Sequence, residues 1–132
     1  MSLTTIYLSG PIQSSSNPQR WRNDIIDATT YGDVEFINPL DYPRYHDPEE
    51  KMEQAVSLVE KADAILVHYE PDAGRFRMVT EMQAAQAEDK PVVVWTDRYD
   101  GLVENMEPII REHTTEFQQF GRPAVNRILK LV

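Results

Sequence analysis

The sequence predicts an α/β fold of three layers: a parallel sheet of four or five strands with helices on both faces. Three observations carry this. Short, β-rich apolar segments alternate with stretches of ~10–15 residues whose apolar side chains recur at helical spacing. Two strand segments, 63–68 and 91–95, are almost continuously apolar, as strands covered on both faces are. The 132 residues suit a single domain, 1–132, with no internal repeat and no linker.

The elements follow in order. Thr4 to Leu8 reads as the first strand, stopped by Ser9-Gly10-Pro11. After a polar stretch, Asn17 caps a helix that has Pro18 in its first turn, with Trp21, Ile25 and Ala28 on one stripe. Val34 to Ile37 is a second strand, closed by Asn38-Pro39. Residues 39–48, with Tyr42, Tyr45 and His46, read as an ordered loop. Asp47-Pro48-Glu49-Glu50 opens a helix whose apolar face is Met52, Val56, Val59 and Ala62. Asp63 to His68 is the third strand, Met78, Met82 and Ala85 mark the next helix, and Pro91 to Trp95 is the fourth strand. Beyond Thr96, Leu102–Met106 and Pro108–His113 look helical, Phe117–Phe120 forms a short edge strand, and a terminal helix begins at Pro123.

Composition narrows the function. Thirteen Lys and Arg against 22 Asp and Glu give a net charge of −9. That argues against a nucleic acid polymer or an anionic membrane as partner. A small anion still fits where arginines converge. With no Cys, thiolate chemistry, disulfides and Cys-type metal sites are excluded. His46, His68 and His113 lack the spacing of a metal site, and no cofactor is implied. No secretory signal or apolar run of membrane-spanning length is visible, so a cytoplasmic protein is expected.

Ligands of an open parallel sheet bind beyond the carboxyl ends of its strands. Here these ends are Ser9-Gly10-Pro11, Asn38-Pro39, 68–75 and 96–99. The first loop lacks both the dinucleotide and the P-loop glycine patterns. Glu81 is the most informative residue. About one turn into its helix, flanking the apolar stripe, its carboxylate would be half sheltered beside the crevice and kept ionised by the helix N-terminus. It would serve as nucleophile or base; an ordinary first-turn acid would also sit there. Arg75 and Arg77 bracket the entry to that helix, suited either to a phosphate or to relieving surface charge. Tyr42 and Tyr45 either stack on a base or pad the loop.

In order along residues 5–95, Tyr7-Leu8-Ser9-Gly10-Pro11, Trp21, Phe36-Ile37-Asn38-Pro39, Ala62 to Val67, Glu81-Met82-Gln83-Ala84-Ala85 and Lys90 to Val94 resemble the nucleoside 2-deoxyribosyltransferase family, including its nucleotide N-glycoside hydrolases. The resemblance implies a flavodoxin-like or Rossmann-like sheet. It also implies cleavage or transfer of the N-glycosidic bond of a (deoxy)ribonucleoside or its 5′-monophosphate. Glu81 matches the family's nucleophile, which forms a glycosyl-enzyme that water or a second base resolves. Tyr7 would reach that carboxylate. Ser9, Gly10 and Pro11 would line the base and sugar pocket, joined by Asn38, Gly74, Arg75 and Arg77 as substrate-binding residues. A homo-oligomer, expected as a dimer, is implied too, with apolar surface near 52–59 and 102–110. Two positions depart from the family. Its Asp eight residues before Asp63 is Ala55 here, and its glycine turn just before the Glu is represented by Gly74, seven residues upstream. These departures leave a second reading, a nucleotide-binding regulatory protein that keeps the pocket without turnover.

Overall fold

Five strands, all parallel, pair in the order β2-β1-β3-β4-β5 in the computed structural model. It describes residues 3–10, 18–29, 32–43, 45–69, 76–96, 108–118 and 121–132. The strands are β1 (Thr4–Ser9), β2 (Val34–Ile37), β3 (Ala64–His68), β4 (Val92–Trp95) and β5 (Glu116–Gln118). The helices are α1 (Pro18–Ala28), α2 (Pro48–Glu60), α3 (Phe76–Ala87), α4 (Pro108–Glu112) and α5 (Gly121–Leu131), with one 3-10 turn at Pro39–Asp41. This is the flavodoxin-like order. It reverses direction between β1 and β3, the point at whose carboxyl edge open sheets of this kind bind ligands.

Side-chain alternation divides the core into two. Tyr7, Ile65, Val67, Val92 and Val94 pack against Leu58 and Val59 of α2, Met78, Met82 and Ala85 of α3, and Ile110 of α4. Ile6, Leu8, Ala64, Leu66, Val93 and Trp95 pack against Trp21 and Ile25 of α1 and Ala124, Val125 and Ile128 of α5. A sheet covered on both faces explains the continuous apolar runs of β3 and β4.

Local chemistry sets the ends of these elements. Asp47 caps α2 by accepting the Glu49 N–H at 3.1 Å, with Pro48 behind it at the first helical position. Asp63 lies just before β3 rather than in it; its carboxylate accepts the Thr5 N–H at 2.8 Å. At the end of α3, Asp89 takes a left-handed conformation, φ 57°, which Asp tolerates better than most residues. Lys90 then reaches back to the Val59 and Glu60 carbonyls at the end of α2.

Three expected boundaries shift. The buried face of α2 is Ala55, Leu58 and Val59, continuing to Ala62, whereas Met52 is 39% exposed. The helix is rotated toward Ala55 because α3 packs along it and takes the Leu58–Val59 ridge. The terminal helix begins at Gly121 and not at Pro123, and the edge strand is Glu116–Gln118. The Leu102–Met106 helix lies outside the described residues. Of the apolar surface expected at the helices near 52–59 and 102–110, Met52 and Ile109 (41%) are exposed.

Candidate active site

The carboxylate of Glu81 sits at the carboxyl edge between β1 and α3, with its side chain 1% exposed. The expectation of half shelter is therefore corrected. Tyr7 and Ser9 alternate onto the α3 face of β1, and both reach it. The Tyr7 hydroxyl donates to Glu81 Oε2 in a very short contact. The Ser9 hydroxyl donates to Oε1 at 2.9 Å. Arg77, one turn earlier on α3, lies 3.5 Å from Oε2 through Nε. Its Nη2 lies 3.5 Å from the Tyr7 oxygen and 3.3 Å from Gln54 Oε1 on α2.

Burial pushes the Glu81 carboxyl above its ordinary value. The Arg77 charge, the hydrogen bonds from Tyr7 and Ser9 and the charge of Arg22 all oppose that rise. Burial is the largest of these influences on Glu81. Burial, then the nearby Glu81 charge, holds the Tyr7 phenol well above its usual range, with Arg77 opposing. Tyr7 thus keeps its proton and acts as a donor to the carboxylate, not as a base.

Gly10 closes the first strand where the backbone must pass close to its neighbours. A Cβ there would lie 2.9 Å from Trp21 Cζ2 and 3.2 Å from the His68 carbonyl oxygen. Asn38 is buried at the end of β2, and its side-chain oxygen accepts the Leu40 N–H at 3.0 Å, capping the 3-10 turn. Pro11, Gly74 and Arg75 lie outside the described residues, as do Ser14 to Ser16 and Asp97. Tyr42 and Tyr45 are each 38% exposed. Ala55 is fully buried in the core face of α2. Among the described residues, no three His, Asp or Glu side chains converge as metal ligands.

Two contributors were not singled out from sequence. Gln54 neighbours Ala55, which stands where the family has its Asp, and is out of phase with that position, yet it contacts Arg77. Arg22 is fully buried on α1. Its Nε–H donates to the Leu8 carbonyl at 3.4 Å and its Nη2–H to the Gly10 carbonyl at 3.2 Å. The guanidinium also lies 4.4 Å from the Trp21 ring centre. Its position on the Trp21–Ile25 stripe was the available signal: a cation on an apolar stripe must find partners inside.

On the opposite face of the sheet, His68 stacks on Trp95, with ring centres 4.1 Å apart at 12°. Trp21 stands edge-on to both rings. Burial, then the Arg22 charge, lowers the His68 pKa to about 4. Between about 6.5 and that value the unfolded chain holds a proton that the native state refuses. His68 therefore supports full stability above pH 6.5, and that support falls as pH drops toward 4. The loss approaches ~3 kcal/mol. Glu81 acts in the opposite sense, because a raised carboxyl takes up its proton early as pH falls. His68→Phe isolates the first effect. Urea unfolding from pH 7 to 4 should show the variant gaining on the unaltered protein as pH falls. A difference that stays constant with pH would remove His68 from the account.

An open parallel sheet with a buried carboxylate, hydrogen-bonded by Tyr7 and Ser9 near its switch point, defines an α/β protein with an ionisable group at the edge where such sheets bind ligands. The nucleoside 2-deoxyribosyltransferase-like family model matches residues 3–99, and the chain belongs to that family. Its general class of chemistry is therefore that of the N-glycosidic bond. No curated protein matches the chain. Among solved structures, it is similar to a conserved protein of Enterococcus faecalis V583. The TM-score is 0.75 at 15% identity, covering 99% of this chain and 100% of that one. It is also similar to the CMP N-glycosidase BcmB of Clostridium botulinum, with TM-score 0.59 at 12% identity, covering 97% and 98%. A receiver domain of a sensor histidine kinase from Pseudomonas aeruginosa PAO1 matches with TM-score 0.54 at 19% identity, covering 98% and 97%. At these identities the likenesses show the shared α/β fold.

Proposed function

We propose that this protein cleaves the N-glycosidic bond of a (deoxy)ribonucleoside or its 5′-monophosphate, with Glu81 as nucleophile. The observation that carries the reading is the Glu81 carboxylate, buried at the carboxyl edge with Tyr7 on one oxygen and Ser9 on the other. The donors fix its direction while burial keeps it free of a water shell. That suits attack on an oxocarbenium-like carbon.

In the first step a Glu81 oxygen bonds to the anomeric carbon and the glycosidic C–N bond breaks. Its electron pair leaves with the base, which takes up a proton. In the second step water attacks the same carbon, the ester bond to Glu81 breaks, and the water proton is lost to solvent. A second base in place of water gives transfer. Ser9, Gly10 and Asn38 border the place for base and sugar; Pro11 and Gly74 are assigned to it from the family resemblance alone. Arg77, 26% exposed, meets a 5′-phosphate, a role that the sequence also assigns to Arg75. Charge-assisted contacts of ~1.5–3 kcal/mol make the monophosphate bind about tenfold to a hundredfold better than the nucleoside.

The test is a panel of nucleosides, deoxynucleosides and their 5′-monophosphates, with and without an acceptor base, read by chromatography. Free base is the expected product, with monophosphates preferred. An exchanged base identifies a transferase. The buried Ala55 favours a second reading, binding without turnover, because the family's Asp has no counterpart there. Calorimetric binding with no product from any panel member would establish that reading and end the catalytic one.

A further inference from the structure

Gln54 makes two hydrogen bonds at once, one as donor and one as acceptor. Its Nε2–H donates to the Pro43 carbonyl at 2.7 Å, and its Oε1 accepts from Arg77 Nη2 at 3.3 Å. A backbone carbonyl cannot donate and a guanidinium cannot accept, so these partners also fix which way the amide faces. The Gln54 contact is shorter than those Arg77 makes with Glu81 and Tyr7, both at 3.5 Å. The guanidinium is therefore held most closely at its α2 end. It stands at the limit of hydrogen-bond range from the carboxylate and does not clamp it.

We infer that Gln54 is a positioning residue that holds the Arg77 guanidinium between Tyr7 and Glu81 and keeps it from closing onto the carboxylate. The inference rests on the reading of Glu81 as nucleophile. A guanidinium paired tightly with both carboxylate oxygens would occupy the electron pairs that must attack carbon. Held at a distance, it stabilises the anion and leaves an electron pair available beside those that Tyr7 and Ser9 engage. Gln54 also joins the site to the turn at Tyr42–Pro43, so movement of that turn is transmitted to Arg77 through one side chain.

Among the described residues, the charged and titratable groups acting on Glu81 are Tyr7 from β1, Arg22 from α1 and Arg77 from its own helix. From α2 comes uncharged Gln54. The sheet beneath α3 is apolar at Ile65, Val67, Val92 and Val94. His113, after α4, is engaged with Gln86 and Gln83 farther along α3. Moving Arg77 therefore changes the acidity of Glu81 in a direction that can be stated in advance.

The experiment follows the Glu81 carboxyl carbon by NMR titration in the free protein. It compares the unaltered chain with Gln54→Met, which keeps the stem and removes both hydrogen bonds, and Gln54→Glu. In Gln54→Met, Arg77 closes onto Glu81 and the midpoint falls by about half to one pH unit. In Gln54→Glu, the new carboxylate draws Arg77 away and the midpoint rises by a similar amount. A residue that merely supports the fold would not move the two midpoints in opposite directions. Midpoints that stay put, or shift the same way, in folded variants overturn the inference. This arm needs no substrate, so its failure is distinct from absence of product in the panel. With the nucleoside, which carries no 5′-phosphate for Arg77 to meet, that the unaltered protein cleaves fastest, Gln54→Met lowers kcat about tenfold and leaves KM nearly unchanged. A rise in KM alone would overturn the positioning role.

Discussion

Glu81→Ala is expected to reduce release of free base by about a thousandfold or more, while affinity for the same nucleoside or nucleotide changes by less than about fivefold. The two numbers belong together, because a nucleophile acts in the transition state and contributes little to ground-state binding. Glu81→Gln sharpens the test. The amide keeps the shape of the side chain and a carbonyl oxygen for the Tyr7 hydroxyl, yet cannot form the glycosyl ester. A desolvated carboxylate is also removed from a site where burial pushes its pKa up. Glu81→Gln should therefore unfold at a urea concentration equal to or above that of the unaltered protein while losing turnover. Unchanged initial rates by chromatography in either variant would dismiss Glu81 as the nucleophile.

Arg22→Met should cost about 2–4 kcal/mol of stability. Met retains much of the stem packing, so the loss isolates the guanidinium. Its removal leaves the Leu8 and Gly10 carbonyls without their donor in a buried place, at ~1–3 kcal/mol for each unsatisfied group. Removing a buried cation offsets part of that, and the contact with the Trp21 ring is lost as well. Denaturant unfolding at pH 7, with slopes compared, gives the difference directly. A variant as stable as the unaltered protein would mean that the end of β1 is held by packing alone. Arg22 also acts on Glu81 as a cation, so the variant should raise the Glu81 midpoint further.

The fold was legible because its signals are redundant. In β3 and β4, every residue from Ala64 to His68 and from Val92 to Trp95 is buried, and such runs survive in the sequence as uninterrupted apolar segments. Asp47-Pro48 announced α2 through local capping chemistry that depends on no distant contact. The rotation of α2 was not legible. Met52 and Ala55 are both compatible with a helix, and the choice between them is made by α3, which lies elsewhere in the chain. The same limit governed the site. Glu81 could be singled out from its place after β3 and from the family resemblance. Its degree of burial could not, because that depends on Tyr7 and Ser9 arriving from β1. Gln54 carried no pattern at all, since an amide that bridges a carbonyl and a guanidinium is recognised only once both are in place. Arg22 was legible in principle, as a cation on an apolar stripe.

The pairing of Tyr7 with Glu81 joins residues separated by 74 positions, and that separation bears on how the protein comes into being. A segment holding β3, α3 and β4 is contiguous in sequence and can form early, with local connections only. In it Glu81 would be a wetted acid of ordinary strength. Its special environment appears only when β1 slots in beside β3, pairing Ile6 with Ala64 across a long stretch of chain. The chemistry of the carboxylate is thus acquired at the step that completes the sheet. A chain in which β1 has not docked lacks the Tyr7 and Ser9 donors to Glu81, however much of α3 it has already built.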